Sequence, residues 1–118
     1  DLYDLEDLHL GQENFIITML GQKNKLRFVF SVVPISYRST DESYRSETLG
    51  KLSTGYGNDF TSDWSFFIVE DSDYVNWVLK ESSGFYDEAS LIHMVFMGSE
   101  FFVDVITNKK PKIELLDL

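Results

Sequence analysis

His93 and Asp104 are the two residues of this chain best suited to carrying chemistry. They sit in Leu91 to Met97 and Glu100 to Ile106, two apolar runs flanking Gly98-Ser99, and glycine at the first central position is what a two-residue type II′ hairpin turn requires. In that register His93 lies directly opposite Asp104, where imidazole and carboxylate can hydrogen-bond. A carboxylate beside a histidine fixes its tautomer, as general-base catalysis needs. No nucleophile accompanies the pair, since Cys is absent, no serine occupies a recognisable elbow, and Ser99 belongs to the turn. The pair therefore reads as structural, and no catalytic residue is assigned.

Metal and phosphate chemistry find less support. His9 and His93 are the only histidines, and neither belongs to a His-x-x-x-His or His-Glu-x-x-His spacing. Asp71-Ser72-Asp73 is too short a fragment of a calcium loop and fits a helix start better. Gly55 and Gly57 lack the lysine and following helix of a phosphate loop. No metal or cofactor is expected.

Recognition surface remains. The chain has twenty Asp and Glu against ten Lys and Arg, a net charge of −10, and no basic residue occurs between Leu52 and Leu79. Asp41, Glu42, Glu47, Asp59 and Asp63 fall in or beside the least regular segment, with Tyr37, Tyr44, Tyr56 and Phe60 interleaved. Carboxylates steer a basic partner, and tyrosines supply contact area at low entropic cost. The expected partner-binding residues are Asp41, Glu42, Tyr44, Glu47, Tyr56, Asp59, Phe60 and Asp63. The same charge opposes nucleic-acid binding, which depends on Lys and Arg displacing counterions, and opposes acidic membrane surfaces. Lys109, Lys110 and Lys112 around Pro111 read as a solvated turn.

The elements that must position these residues are partly written in the pattern. Leu2, Leu5 and Leu8, three apart with acids between, suit a short amphipathic helix over Asp1 to Leu10. Phe15 to Leu20 and the alternation Leu26, Phe28, Phe30, Val32 form a hairpin about Gly21 to Asn24, closed by Pro34. Ser39 and Glu42 have capping-box spacing and would start a helix running to about Leu52. The tetrad Ser36-Tyr37-Arg38-Ser39 recurs as Ser43-Tyr44-Arg45-Ser46, and with nothing else repeating it reads as coincidence. Trp64 to Val69 reads as a buried strand. Asp71 or Ser72 then caps a helix from Asp73 to Ser82, stopped at Gly84, whose stripe of Tyr74, Trp77 and Val78 packs inward. In the last hairpin Ile92, Met94, Phe96, Phe101, Val103 and Val105 share one apolar face, and Ile113 to Leu116 is a final strand.

Together these predict one α+β domain over residues 1–118: a largely antiparallel sheet of five or six strands covered by one or two helices. An apolar fraction of 43% is far above that of disordered chains. Without cysteines, a signal-like leader or an apolar run long enough to span a bilayer, the expected setting is soluble and cytoplasmic.

Residues 60 to 116, with Trp64-Ser-Phe66-Phe67-Ile-Val, Ser72-Asp-Tyr74-Val-Asn-Trp77 and the closing series His93, Asp104, Val105 and Pro111, resemble small acidic bacterial toxin-immunity proteins. Such proteins neutralise a cognate toxin, often a basic nuclease, by covering its active site. The resemblance implies a class of role and no particular contact residue. The leading expectation is a non-catalytic protein-binding module that covers the cationic cleft of a basic partner. The alternative is a small enzyme or ligand-binding domain with a pocket over the sheet, using His93 and Asp104.

Overall fold

Among the described residues eight strands form two four-stranded antiparallel sheets. The computed structural model describes residues 3–11, 14–41, 45, 54–57, 65–87, 90–99 and 101–118. The strands are β1 (Asp4–Leu10), β2 (Phe15–Leu20), β3 (Asn24–Phe30), β4 (Ser36–Asp41), β5 (Phe66–Val69), β6 (Ile92–Met97), β7 (Phe101–Thr107) and β8 (Lys112–Asp117), with helix α1 (Asp73–Glu81) between β5 and β6. The first sheet has the order β1-β2-β3-β8, the second β4-β7-β6-β5. The chain completes three strands of the first sheet, builds the second, and returns with β8 to pair with β3.

This corrects the α+β expectation of one sheet of five or six strands under one or two helices. Among the described residues 53% are strand and 14% helical, and the core lies between two sheets. Leu5, Phe15, Ile17, Met19, Phe28 and Phe30 from the first sheet meet Met94, Phe96, Val103 and Val105 from the second in one buried cluster. Phe28 meets Phe96 edge-on across the interface, with ring centroids 4.9 Å apart at 69°. That is a favoured aromatic geometry. A sheet with one apolar face can bury it against a second sheet as well as against helices, and the hydrophobic pattern of a strand does not state which.

Two local misreadings explain the difference in element count. Asp4–Leu10 is a strand, not a helix. Its pairing with β2 shifts between Leu5 and Asp7, and this bulge inserts one residue, so that Leu5 opposite Met19 and Leu8 opposite Ile17 both face the core. Apolar residues three apart thus mimic a helical spacing. The supposed capping residue Ser39 lies inside β4, opposite Val103, and the rest of the helix expected to run to Leu52 lies outside the described residues apart from Arg45. Val32, expected to continue the β3 alternation, is beyond the strand end and exposed.

The β6–β7 hairpin keeps its expected faces but not its register. His93 pairs with Ile106, and Asp104 with Val95, so each partner lies two residues away from where a Gly98-Ser99 turn would place it. Gly98 serves another purpose. A Cβ there would come within 2.9 Å of the Leu5 Cβ and 3.2 Å of the Asp4 carboxylate, so glycine admits the close approach of β1. The Asp4 carboxylate accepts the Ser99 N–H at 2.8 Å and its hydroxyl at 3.0 Å, tying the hairpin tip to the other sheet. Because the shift in register is two residues, an even number, side chains stay on their faces, and Ile92 and Phe101 still pack against the core.

Phe28 is fully buried whereas Phe101 is only partly so. Phe28→Ala should therefore cost on the order of 3 to 5 kcal/mol by transfer and cavity terms. Phe101→Ala should cost distinctly less, as chemical denaturation of both variants would measure.

Candidate functional site

The outer face of the second sheet, away from the sandwich core, carries the polar cluster. Asp104 on β7 is wholly buried and His93 on β6 is 6% exposed. They sit on diagonal positions of the hairpin, and His93 Nε2 lies 2.8 Å from Asp104 Oδ1. The contact expected from sequence exists, although its partners are not directly opposed. Asp104 Oδ2 accepts from Arg38 Nε at 3.1 Å and from Arg45 Nη1 at 2.6 Å. Arg38 is the cross-strand partner of Asp104 on β4, so sheet pairing alone delivers that contact. The two arginines of the repeated tetrad thus converge on one carboxylate oxygen. That recurrence, read as coincidence in the sequence, was the signal for this half of the site.

Helix α1 closes the other side. Its start is set by Ser72, whose hydroxyl accepts the Val75 N–H at 3.1 Å, as an N-cap should. The helix buries Tyr74, Val75 and Val78 against Leu91 and Ile106. The same Ser72 oxygen lies 2.6 Å from His93 Nδ1. With Nε2–H directed at an acceptor-only carboxylate, Nδ1 is left to accept from the Ser72 hydroxyl, a tautomer inferred from the hydrogen-bond pattern. The Tyr74 ring stands edge-on to the His93 ring at 5.4 Å and beneath the Arg38 guanidinium at 4.3 Å, and its hydroxyl hydrogen-bonds to Ser36. Burial is the main cause that raises the Tyr74 pKa above its usual value, so the phenol keeps its proton for that bond.

Burial is also the largest influence on the Asp104 carboxyl and pushes its pKa up. The hydrogen bonds from His93, Arg45 and Arg38 together outweigh it, and the carboxyl is held well below the usual carboxylate range. Asp104 is therefore ionised and saturated by cationic and N–H donors.

Ser72, His93 and Asp104 form a hydrogen-bonded line of the type that activates a serine nucleophile. Ser72 even follows a strand and a strained residue, Asp71 at φ 50°, and opens a helix, so a serine in a strand-turn-helix position is present after all. Its situation nonetheless assigns it to structure. Ser72 is 6% exposed, and its hydroxyl is already committed to the helix cap and to His93. At the far end Asp104 is neutralised by two arginines, which weakens its capacity to stabilise an imidazolium. Every buried side-chain nitrogen and oxygen among the described residues has a partner, and no group of three His, Asp or Glu there could hold a metal.

Of the eight expected partner-binding residues, Asp41 closes β4 opposite Phe101, and Tyr56 is 72% exposed in the helical turn 54–56. Glu42, Tyr44, Glu47, Asp59, Phe60 and Asp63 lie outside the described residues. Trp77, expected in the core, is instead 55% exposed. The helix turns Tyr74, Val75 and Val78 inward, and a stripe only that wide leaves Trp77 at its margin. Together with Ser36, Tyr37, Arg38, Asp73 and Tyr74 it lines a groove of about 430 Å³ between α1 and β4. Sequence reasoning missed this groove because Trp77 also fitted the apolar stripe. The chain matches no protein-family model, no curated protein and no solved structure to which it was compared, and no helix among the described residues is long and apolar enough to cross a membrane.

Replacing Asp104 by Asn leaves Arg45, itself largely buried, facing a neutral amide. Breaking a buried pair in this way should cost about 3 kcal/mol or more, read by urea denaturation at neutral pH. Because the folded pKa of Asp104 lies below its unfolded value of ~3.9, its contribution is complete above that value and is lost as pH falls through and below it. The wild-type chain should therefore lose stability progressively below about pH 4, and Asp104→Asn should flatten that part of the profile.

Proposed function

We propose that this chain is a non-catalytic protein-binding module for a basic macromolecular partner. The observation that carries this reading is the contrast between its two polar regions. His93 and Asp104 are buried and saturated, whereas Trp77 and Asp73 line an open groove between α1 and β4. An exposed tryptophan beside a carboxylate suits the side chain of a lysine or arginine, through cation–π attraction and an ion pair. The net charge of −10 favours encounter with a cationic surface. The resemblance to toxin-immunity proteins supplies the class of partner, a basic toxin whose cationic cleft the module covers. Arg38, which lines the groove, is also the first residue of the segment from Arg38 to Asp63 proposed to meet the partner.

Association and dissociation separate the contributions of this face. With the basic partner captured from the native host and purified, Asp59→Lys/Asp63→Lys and Asp73→Lys should each slow association and flatten its dependence on salt. Trp77→Ala and Tyr56→Ala should mainly speed dissociation, with Trp77→Ala the larger effect at more than about tenfold if the indole is a binding anchor. Unchanged kinetics for all four would remove this face from consideration. Hydrolytic turnover abolished by Ser72→Ala, in a variant that keeps its fold, would move the assignment to the buried Ser72–His93–Asp104 line.

A further inference from the structure

The four edge strands of the two sheets are unequal. β1 is bulged at its centre and carries Asp4, Glu6 and Asp7, devices that discourage pairing. β4 presents Ser36, Arg38, Ser39 and Asp41, and β5 has four residues. β8 is different. It runs beside β3 for six residues without a break in register, from Lys112 opposite Val29 to Asp117 opposite Asn24.

Its inward side chains are also misplaced for a monomer. Ile113 pairs with fully buried Phe28, and Leu115 with Leu26, itself packed against the core, yet Ile113 is 55% and Leu115 is 62% exposed. They occupy the core side of the sheet at a rim where nothing among the described residues covers them. A long edge of unbroken register, with Ile113 and Leu115 exposed on its core side, is a template for another strand.

We propose that two copies of this chain associate through β8, paired antiparallel about a two-fold axis perpendicular to the sheet and passing by Glu114. A two-fold in that direction keeps the core-facing sides of both sheets together and makes one eight-stranded sheet from the two β1-β2-β3-β8 sheets. With Glu114 opposite its own copy, Ile113 faces Leu115 of the other chain, and the reverse, on the core side. On the outer side Lys112 of each chain lies diagonal to Glu114 of the other, within reach of a long side chain. Arg27 stands 3.7 Å from Glu114 in its own chain. The two facing glutamates therefore sit among two Arg27 and two Lys112 side chains, and their mutual repulsion is offset. The same strand thus matches itself in both apolar contact and charge. The proposal is independent of the groove beside α1, which lies on the other sheet.

An interface confined to one strand edge is small and of the transient class, with dissociation on the order of 10 to 100 µM. Sedimentation equilibrium of the whole chain should then show the mass rising from 13.7 kDa toward twice that value across this range. Leu115→Lys, at a site already exposed in the monomer, should preserve the circular-dichroism spectrum and melting temperature and weaken association by at least ~tenfold, equivalent to ~1.4 kcal/mol. Register is tested separately. The chain has no cysteine, so Glu114→Cys should form a disulfide-linked dimer under mild oxidation. Asp117→Cys should not, because its two copies would be about 20 Å apart along the strands. A monomer at all concentrations up to 1 mM (roughly tenfold above the expected range), association unaffected by Leu115→Lys, or preferential crosslinking through Asp117→Cys would each overturn the proposal.

Discussion

The charge on Asp104 is the constraint around which the second sheet is organised. A carboxylate with no exposure to water loses several kcal/mol of hydration, and only close cationic and N–H donors can restore it. Those donors come from separate parts of the chain: His93 from β6, Arg38 from β4 and Arg45 from the segment after β4. His93 passes the constraint to α1 through Ser72, and Arg38 passes it to Tyr74 by lying over the ring. Strand pairing, helix start and aromatic packing are thus coupled through one anion.

That coupling fixes helix α1 on the second sheet. Ser72, His93 and Asp104, which resemble a catalytic array, form the hydrogen bonds that hold the helix start on the sheet. Trp77 and Asp73 project from a helix whose first turn is fixed by Ser72 and whose inner stripe is fixed by Val75 and Val78. The sandwich core beneath contributes the rest of the rigidity, with Phe28 meeting Phe66 and Phe96 of the other sheet edge-on.

Charge is distributed as unevenly as exposure. Lys23, Lys25, Arg27, Lys109, Lys110 and Lys112, six of the ten basic residues, belong to β3, β8 and the turns beside them. Pairing of β3 with β8 brings together two groups separated by more than eighty positions in the chain. The apparently solvated lysine turn at Pro111 is therefore part of a basic end on an otherwise acidic molecule, and that end holds the strand whose apolar side chains are left uncovered.

Periodicity by itself determined the extent of β2, β3, β6, β7, β8 and α1 to within a residue or two, because alternation and helical stripes are local consequences of backbone geometry. It also determined the faces of the last hairpin, which survive a register shift of two residues. The meeting of His93 with Asp104 was legible for the same reason, as diagonal and direct neighbours share a face. Only the tertiary structure decided that the leucines three apart in β1 straddle a bulge, that Gly98 makes room for Leu5, and that a second sheet covers the first. It alone brought Arg38, Arg45 and Ser72 to the His93–Asp104 pair, and it alone exposed Trp77. Each of these depends on contacts between segments distant in the chain, where packing and desolvation outweigh local preference.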